Sequence, residues 1–128
     1  MEQEKICLDT DFVIALIKDP KLEENFSTRY QSSKVYITTI NIFELFLRLT
    51  NLDEIYNFLD KVNVLSFDKK SSVLASEIYK NLKANGNLID YRNIFIASAV
   101  IANNCTLATL NTKHFERIKD LKLLKKLV

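Results

Sequence analysis

Short apolar runs alternate along this chain with longer stretches of helical spacing, and that alternation restricts the fold more than any other feature. The runs are KICL (Lys5–Leu8), VYIT (Val35–Thr38), VNVLSF (Val62–Phe67) and CTLAT (Cys105–Thr109). Their length and their β-branched and aromatic content suit buried strands. Between them, helical patterns cover Phe12–Ile17, the polar LEENFSTRYQ, Ile40–Leu49, Asp53–Lys61, Lys69–Ala84 and Ile94–Ala102. Leu74, Ile78 and Leu82 repeat every four residues on one helix face, and Gly86 stands where a helix end is expected. Ile94–Ala102 is apolar nearly all round, so that helix is expected to be deeply buried. A short helix over Thr112–Ile118 and an edge strand at Leu121–Leu124 complete the reading. Strand followed by helix, repeated, demands right-handed crossovers and a sheet covered on both faces. The expected class is therefore α/β, three layers around a mostly parallel sheet of four to five strands. Sheets of that kind carry their functional groups beyond the carboxyl ends of the strands.

With 128 residues, one domain spanning 1–128 is expected, and a chain of that length can bury a core without a disulfide or metal staple. One Gly and one Pro leave no room for a flexible linker. The N-terminal MEQEKICLD lacks a long apolar run, so neither a signal peptide nor a membrane partner is expected. Cys7 and Cys105 both lie in apolar segments, which suits reduced, buried thiols in a cytoplasmic protein. One His and two Cys are too few soft ligands for zinc. The net charge of +2 is unevenly placed. From Lys113 onward, Lys113, Arg117, Lys119, Lys122, Lys125 and Lys126 face only Glu116 and Asp120. Such a basic tail can attract a phosphate backbone, and it is equally the solvated face of a terminal element.

Chemistry is sought where strands end. Asp9 follows its strand immediately in CLDTD, at the ligand-binding rim. Asp11, with Thr10, is the better candidate for capping the next helix. Glu44 is the only charged side chain between Val35 and Arg48, with Ile42, Phe43, Leu45, Phe46 and Leu47 around it. An ionised carboxylate in such company must be paired or bind a metal. The competing reading is a capping box, since Asn41 and Glu44 have the required spacing. Two acids near one rim repel each other, and a divalent cation resolves the repulsion. Oxygen ligands without His or Cys point to Mg²⁺ or Mn²⁺, and metal-assisted phosphodiester hydrolysis is the chemistry that suits such a site. Thr109 and Asn111 end the fourth strand in TLATLNTKHF and could orient water or phosphate; Asn111 could equally cap the short helix after it.

Taken together, CLDTDFVIALI, TTINIFELFLR, NIFIASAVIANN and TLATLNTKHFERIKDLKLL resemble the PIN-domain family, and within it the VapC-type toxins of toxin–antitoxin pairs. The resemblance covers almost the whole chain. It implies a Mg²⁺-dependent ribonuclease with three or four clustered acids, an RNA substrate, an antitoxin partner and a homodimer. Asp9 and Glu44 match the first two acids. The third acid normally stands three residues before the Ile-Ala pair of the buried helix, and that position here is Asn93. Asp90, one turn earlier, suits the helix cap. An amide at position 93 drops one charge beside the metal. Asn93 then reads as a substitution that disarms a toxic nuclease, as a natural weakening, or as a loss that Asp90 offsets by swinging in, since positions three apart share a helix face. The rival enzyme reading takes Asp9-Thr10-Asp11 as a phosphatase D-x-D motif, but no acidic pair follows Cys105–Thr109. The rival of another class is a PIN scaffold that binds RNA or protein without cutting.

Overall fold

The computed structural model describes residues 3–125, so Lys126 of the basic tail lies outside the described residues. Five strands, β1 (Lys5–Leu8), β2 (Lys34–Thr38), β3 (Asn63–Leu65), β4 (Thr106–Ala108) and β5 (Lys122–Leu123), form one sheet in the order β3-β2-β1-β4-β5. Every pairing is parallel, with Cys7 opposite Tyr36 on one side and Leu107 on the other. Six helices connect them: α1 (Thr10–Lys18), α2 (Pro20–Arg29), α3 (Thr39–Arg48), α4 (Leu52–Leu59), α5 (Lys69–Ala84) and α6 (Tyr91–Ala102). The expected α/β architecture holds, and β5 is the fifth, edge strand. The segment expected to be helical over Thr112–Ile118 forms only a 3₁₀ turn at Thr112–His114. Cys105 lies just before β4 rather than within it.

Alternation along the strands sorts the core into two layers. Ile6, Leu8, Ile37 and Ala108 pack with Phe12, Val13 and Leu16 of α1, Phe26 of α2, Leu45 of α3 and Ile55 of α4. Cys7, Tyr36 and Leu107 face the other way, onto Ala75, Ile78 and Leu82 of α5 and Ile94, Ile96, Ala97 and Val100 of α6. Both cysteines are buried and unbridged, and burial, with Cys105 nearby, pushes the Cys7 thiol well up. The near-uniform apolarity of α6 follows from its position beneath the sheet, where Ile94 and Ala97 are both about fully buried.

Local signals set the helix ends. Gly86 adopts φ +68, its N–H reaches Lys83 O, and Asn87 N–H reaches Leu82 O at 2.8 Å, a Schellman closure of α5. The cap of α3 differs from the expected one. Thr38 is the N-cap, bonded reciprocally with Asn41 at N3, so Asn41 and Glu44 do not form the box. Glu44 lies a turn further on and needs another explanation. Asp11 is likewise no cap: Asp9 holds the N-cap position of α1, and its side chain makes no capping bond. Asp90 caps α6 as expected, accepting from Arg92 N at 2.8 Å.

Candidate active site

The carboxyl ends of β1, β2 and β4 lie side by side, so the residues that leave them share one rim. Asp9 N–H donates to Ala108 O at 2.9 Å, which stitches the exits of β1 and β4 together. Asp9 is only 6% exposed, and Thr109 Oγ1 donates to its Oδ2 at 2.8 Å. Burial raises the Asp9 pKa above the ordinary carboxylate value. The Thr109 and Thr10 hydrogen bonds oppose that rise, while Glu44 and Asp11 reinforce it through like charge. The two acids picked from distant segments therefore do converge.

Glu44 is held from two sides. Thr10 Oγ1 donates to its Oε1 at 2.7 Å, and Asn41 Nδ2 donates to that same hydroxyl at 2.9 Å. Asn41 is fully buried and Thr10 nearly so. The other carboxylate oxygen meets Arg92 Nη1 at 3.5 Å. The charge of Glu44 is thus tied by a hydroxyl within and a guanidinium without, which resolves the problem posed by its apolar neighbours.

A cavity of about 200 Å³ gathers these groups: Asp9, Thr10, Asp11, Glu44, Arg48, Asp90, Arg92, Asn93, Asn111 and His114 all line it. Asn93 reaches it from the first turn of α6, half-buried. Asp90 reaches it too, but its exposed carboxylate is engaged by Arg92 N and Nε, and those bonds hold its pKa below the usual range. Thr109 stands behind Asp9 rather than in the cavity wall and accepts from Asn111 N at 3.0 Å. Asn111 Nδ2 donates to Asp11 Oδ2, and Asp11 Oδ1 pairs with Arg48 Nη1 at 2.6 Å. The N-cap place before the 3₁₀ turn is held by Asn111, without a side-chain capping bond.

Sequence reasoning missed Thr10, Asn41, Arg48 and Arg92. The signal for Arg48 was its position four residues after Glu44, which puts both on one face of α3. Arg92 stands two residues after a capping acid and carried no comparable mark. Of the basic tail, Lys113, Lys119, Lys122 and Lys125 are exposed, and Arg117 is tied to Asn87 Oδ1 at 3.0 Å.

A wider cleft of about 440 Å³ lies between α1, α2 and α4, lined chiefly by Leu16, Ile17, Phe26, Val35, Phe58 and Val62. It is larger but mostly apolar, and its two carboxylates, Glu23 and Glu54, are exposed rather than buried at the ends of the strands, so the chemistry belongs to the smaller cavity. That cavity offers hard oxygen donors, and its buried Asp9 is disfavoured by neighbouring negative charge, which suits a divalent cation. Among the described residues, no three Asp, Glu, His or Cys side chains stand close enough together to enclose one as they are. The donors fit the ion in chemistry. Among the described residues, no helix is long and apolar enough to cross a membrane.

The sequence profile of the PIN domain matches residues 6–121. The chain belongs to the PIN-domain family. It is 32% identical to Ribonuclease VapC1 of Methanocaldococcus jannaschii over 93% of this chain and 85% of that protein. Ribonuclease VapC2 of Rickettsia felis is 30% identical over 89% of this chain and 92% of its own length. These similarities place it in the VapC branch. The fold agrees: the crystal structure of VapBC2 from Rickettsia felis bound to a promoter DNA fragment superposes with a TM-score of 0.84 at 25% identity. That match covers 94% of this chain and 97% of the other. Membership in the PIN family leaves the phosphatase reading of Asp9-Thr10-Asp11 without a supporting fold.

Proposed function

We propose that this PIN-domain protein is a cytoplasmic, divalent-metal-dependent endoribonuclease, the toxin of a type II toxin–antitoxin pair. The convergence of Asp9, Glu44 and Asn93 on one cavity at the carboxyl edge of a parallel sheet carries this reading. The relatives named Ribonuclease VapC supply the substrate class, and the VapBC complex of similar fold supplies the antitoxin partner. A homodimer is expected from the family resemblance alone. Asp9 and Glu44 would hold Mg²⁺ or Mn²⁺, with the Asn93 side-chain oxygen as a weaker third donor. When bound, the ion supplies a water of lowered pKa and steadies the in-line displacement at phosphorus.

The residues of the chain do the rest. Thr109 fixes the Asp9 carboxylate and Thr10 fixes that of Glu44, so both acids are aimed before substrate arrives. Asn111, bonded to Asp11 at the cavity wall, orients water or phosphate. The half-exposed guanidinium groups of Arg48 and Arg92 stand at the mouth as donors for a phosphate oxygen. The amide at Asn93 predicts slow cleavage. A missing unit charge at about 4 Å is worth up to about 4 kcal/mol at an effective dielectric of about 20.

The test is RNA cleavage by the full chain with Mg²⁺ or Mn²⁺, with EDTA and Asp9→Asn as controls. Metal-dependent products that vanish in both controls support the reading, and Asn93→Asp is expected to raise the rate at least tenfold. A second reading, a PIN scaffold that binds RNA or protein without cutting, draws on the arginines that already neutralise Glu44 and Asp11. RNA binding that survives EDTA, with no products under any metal, would establish it instead.

A further inference from the structure

Asp11 is an acid that helix capping does not account for. It stands at the second position of α1, two residues after Asp9, and its carboxylate lines the same cavity as Asp9, Glu44 and Asn93. The side chain is one-third exposed and bonded to Asn111 on one oxygen and Arg48 on the other. Placing it there adds like charge beside a buried acid, a cost that a merely structural residue at this position would avoid. Position 93, across the cavity, has an uncharged amide where the family resemblance implies an acid. Asp90, the other acid in reach of that gap, is half-exposed and committed to the N–H groups of Arg92.

We propose that Asp11 supplies the third carboxylate of this site, replacing from α1 the charge that α6 lacks at Asn93. The inference rests on the metal-dependent reading above and adds to it a donor set of Asp9, Glu44 and Asp11. Arg48 then acts as the counter-charge that holds Asp11 at the cavity wall until a cation takes its place. Asp90 stays a helix cap.

Binding of Mn²⁺ alone to the full chain, by isothermal titration and by the electron-spin signal of free Mn²⁺, tests this without any turnover. Asp11→Asn should weaken Mn²⁺ binding at least tenfold. Asn93→Asp in that background should restore it to within about threefold, because the charge has only changed helices. Arg48→Gln breaks the same ion pair and should leave Mn²⁺ affinity unchanged or higher, whereas a purely structural Asp11 would make the two variants behave alike. Circular dichroism checks folding, and Asp11→Ser serves if Asp11→Asn does not fold. Full Mn²⁺ affinity in Asp11→Asn, beside loss in Asp9→Asn, overturns the role of Asp11 alone. Failure of Asn93→Asp to rescue overturns the replacement. Unchanged affinity in Asp9→Asn as well overturns the metal-dependent reading beneath it.

Discussion

Replacing Thr10 with Val keeps the shape of the side chain and removes only its hydroxyl. That hydroxyl is 2.7 Å from Glu44 Oε1 and 2.9 Å from Asn41 Nδ2. Asn41 is fully buried, so its amide would lose an acceptor with no water to substitute, a cost of roughly 1–3 kcal/mol. A hydrogen bond to a charged group contributes about 1.5–3 kcal/mol. The Glu44 share must be discounted, because its side chain is 14% exposed and keeps Arg92 on the other oxygen. The sum comes to roughly 2–4 kcal/mol. Thr10→Ser keeps the hydroxyl and loses one methyl, about 1 kcal/mol. Urea unfolding followed by circular dichroism separates the two, with the slope expected to be unchanged and the midpoint lower for Val. At about 4 °C per kcal/mol, the valine variant should also melt roughly 8–16 °C below the wild type. If Val and Ser agree within about 0.5 kcal/mol, the hydroxyl is not what holds Asn41 and Glu44, and the reasoning fails.

The raised pKa of Asp9 makes stability depend on pH in a defined direction. The folded state keeps a proton that the unfolded chain releases near the ordinary carboxylate value of about 3.9, so this group's contribution falls as pH rises through the folded pKa. Asp9→Asn should therefore be the more stable protein at neutral pH without metal and lose that advantage in acid; a pH-independent difference between the two unfolding curves would contradict this. Gly86→Ala should cost about 1 kcal/mol in thermal unfolding, since φ +68 disfavours a side chain although nothing lies within 4 Å of the added carbon. Arg92→Gln frees Glu44 Oε2 and should tighten Mn²⁺ binding several-fold by titration, and an unaltered affinity would show that the guanidinium does not compete with the ion.

The strands and the longer helices were legible because period and composition agree locally. α5 runs over Lys69–Ala84, the span that the Leu74, Ile78 and Leu82 spacing and Gly86 delimit. Asp9 was legible as a site candidate because a parallel sheet puts whatever follows β1 at the rim. Glu44 was legible for a different reason, since a lone charge amid Phe43, Leu45 and Phe46 needs a partner. Its partners were not legible. Thr10 and Arg92 come from other helices, and only the packing of α1 and α6 beside α3 brings them near. The capping assignments at Asp11 and at Asn41 with Glu44 failed, unlike that at Asp90, because Ser, Thr, Asn and Asp all satisfy the same rule, and the frame of β2 decides that Thr38, not Asn41, ends the strand.

Both acids are anchored by the same arrangement. At Glu44 an amide N–H, from Asn41 Nδ2, occupies the Thr10 hydroxyl oxygen, and at Asp9 another, from Asn111 N, occupies that of Thr109. A hydroxyl has one proton, and an amide donor on its oxygen leaves that proton free to turn to the carboxylate. Each threonine therefore serves as a fixed donor rather than a rotor. At Asp9 that bond favours the ionised form within a setting whose burial and crowding disfavour it. The two effects oppose each other at Asp9, where desolvation still wins. A site arranged this way retains negative charge that its own hydrogen bonds do not relieve. The arginines relieve part of that charge from the rim: Arg48 pairs with Asp11 and Arg92 with Glu44, while Asp9 has no cationic partner among the described residues. Binding a divalent ion would be strongest at the one acid the arginines leave alone, which is why Asp9 rather than Glu44 should be the least replaceable position of the site.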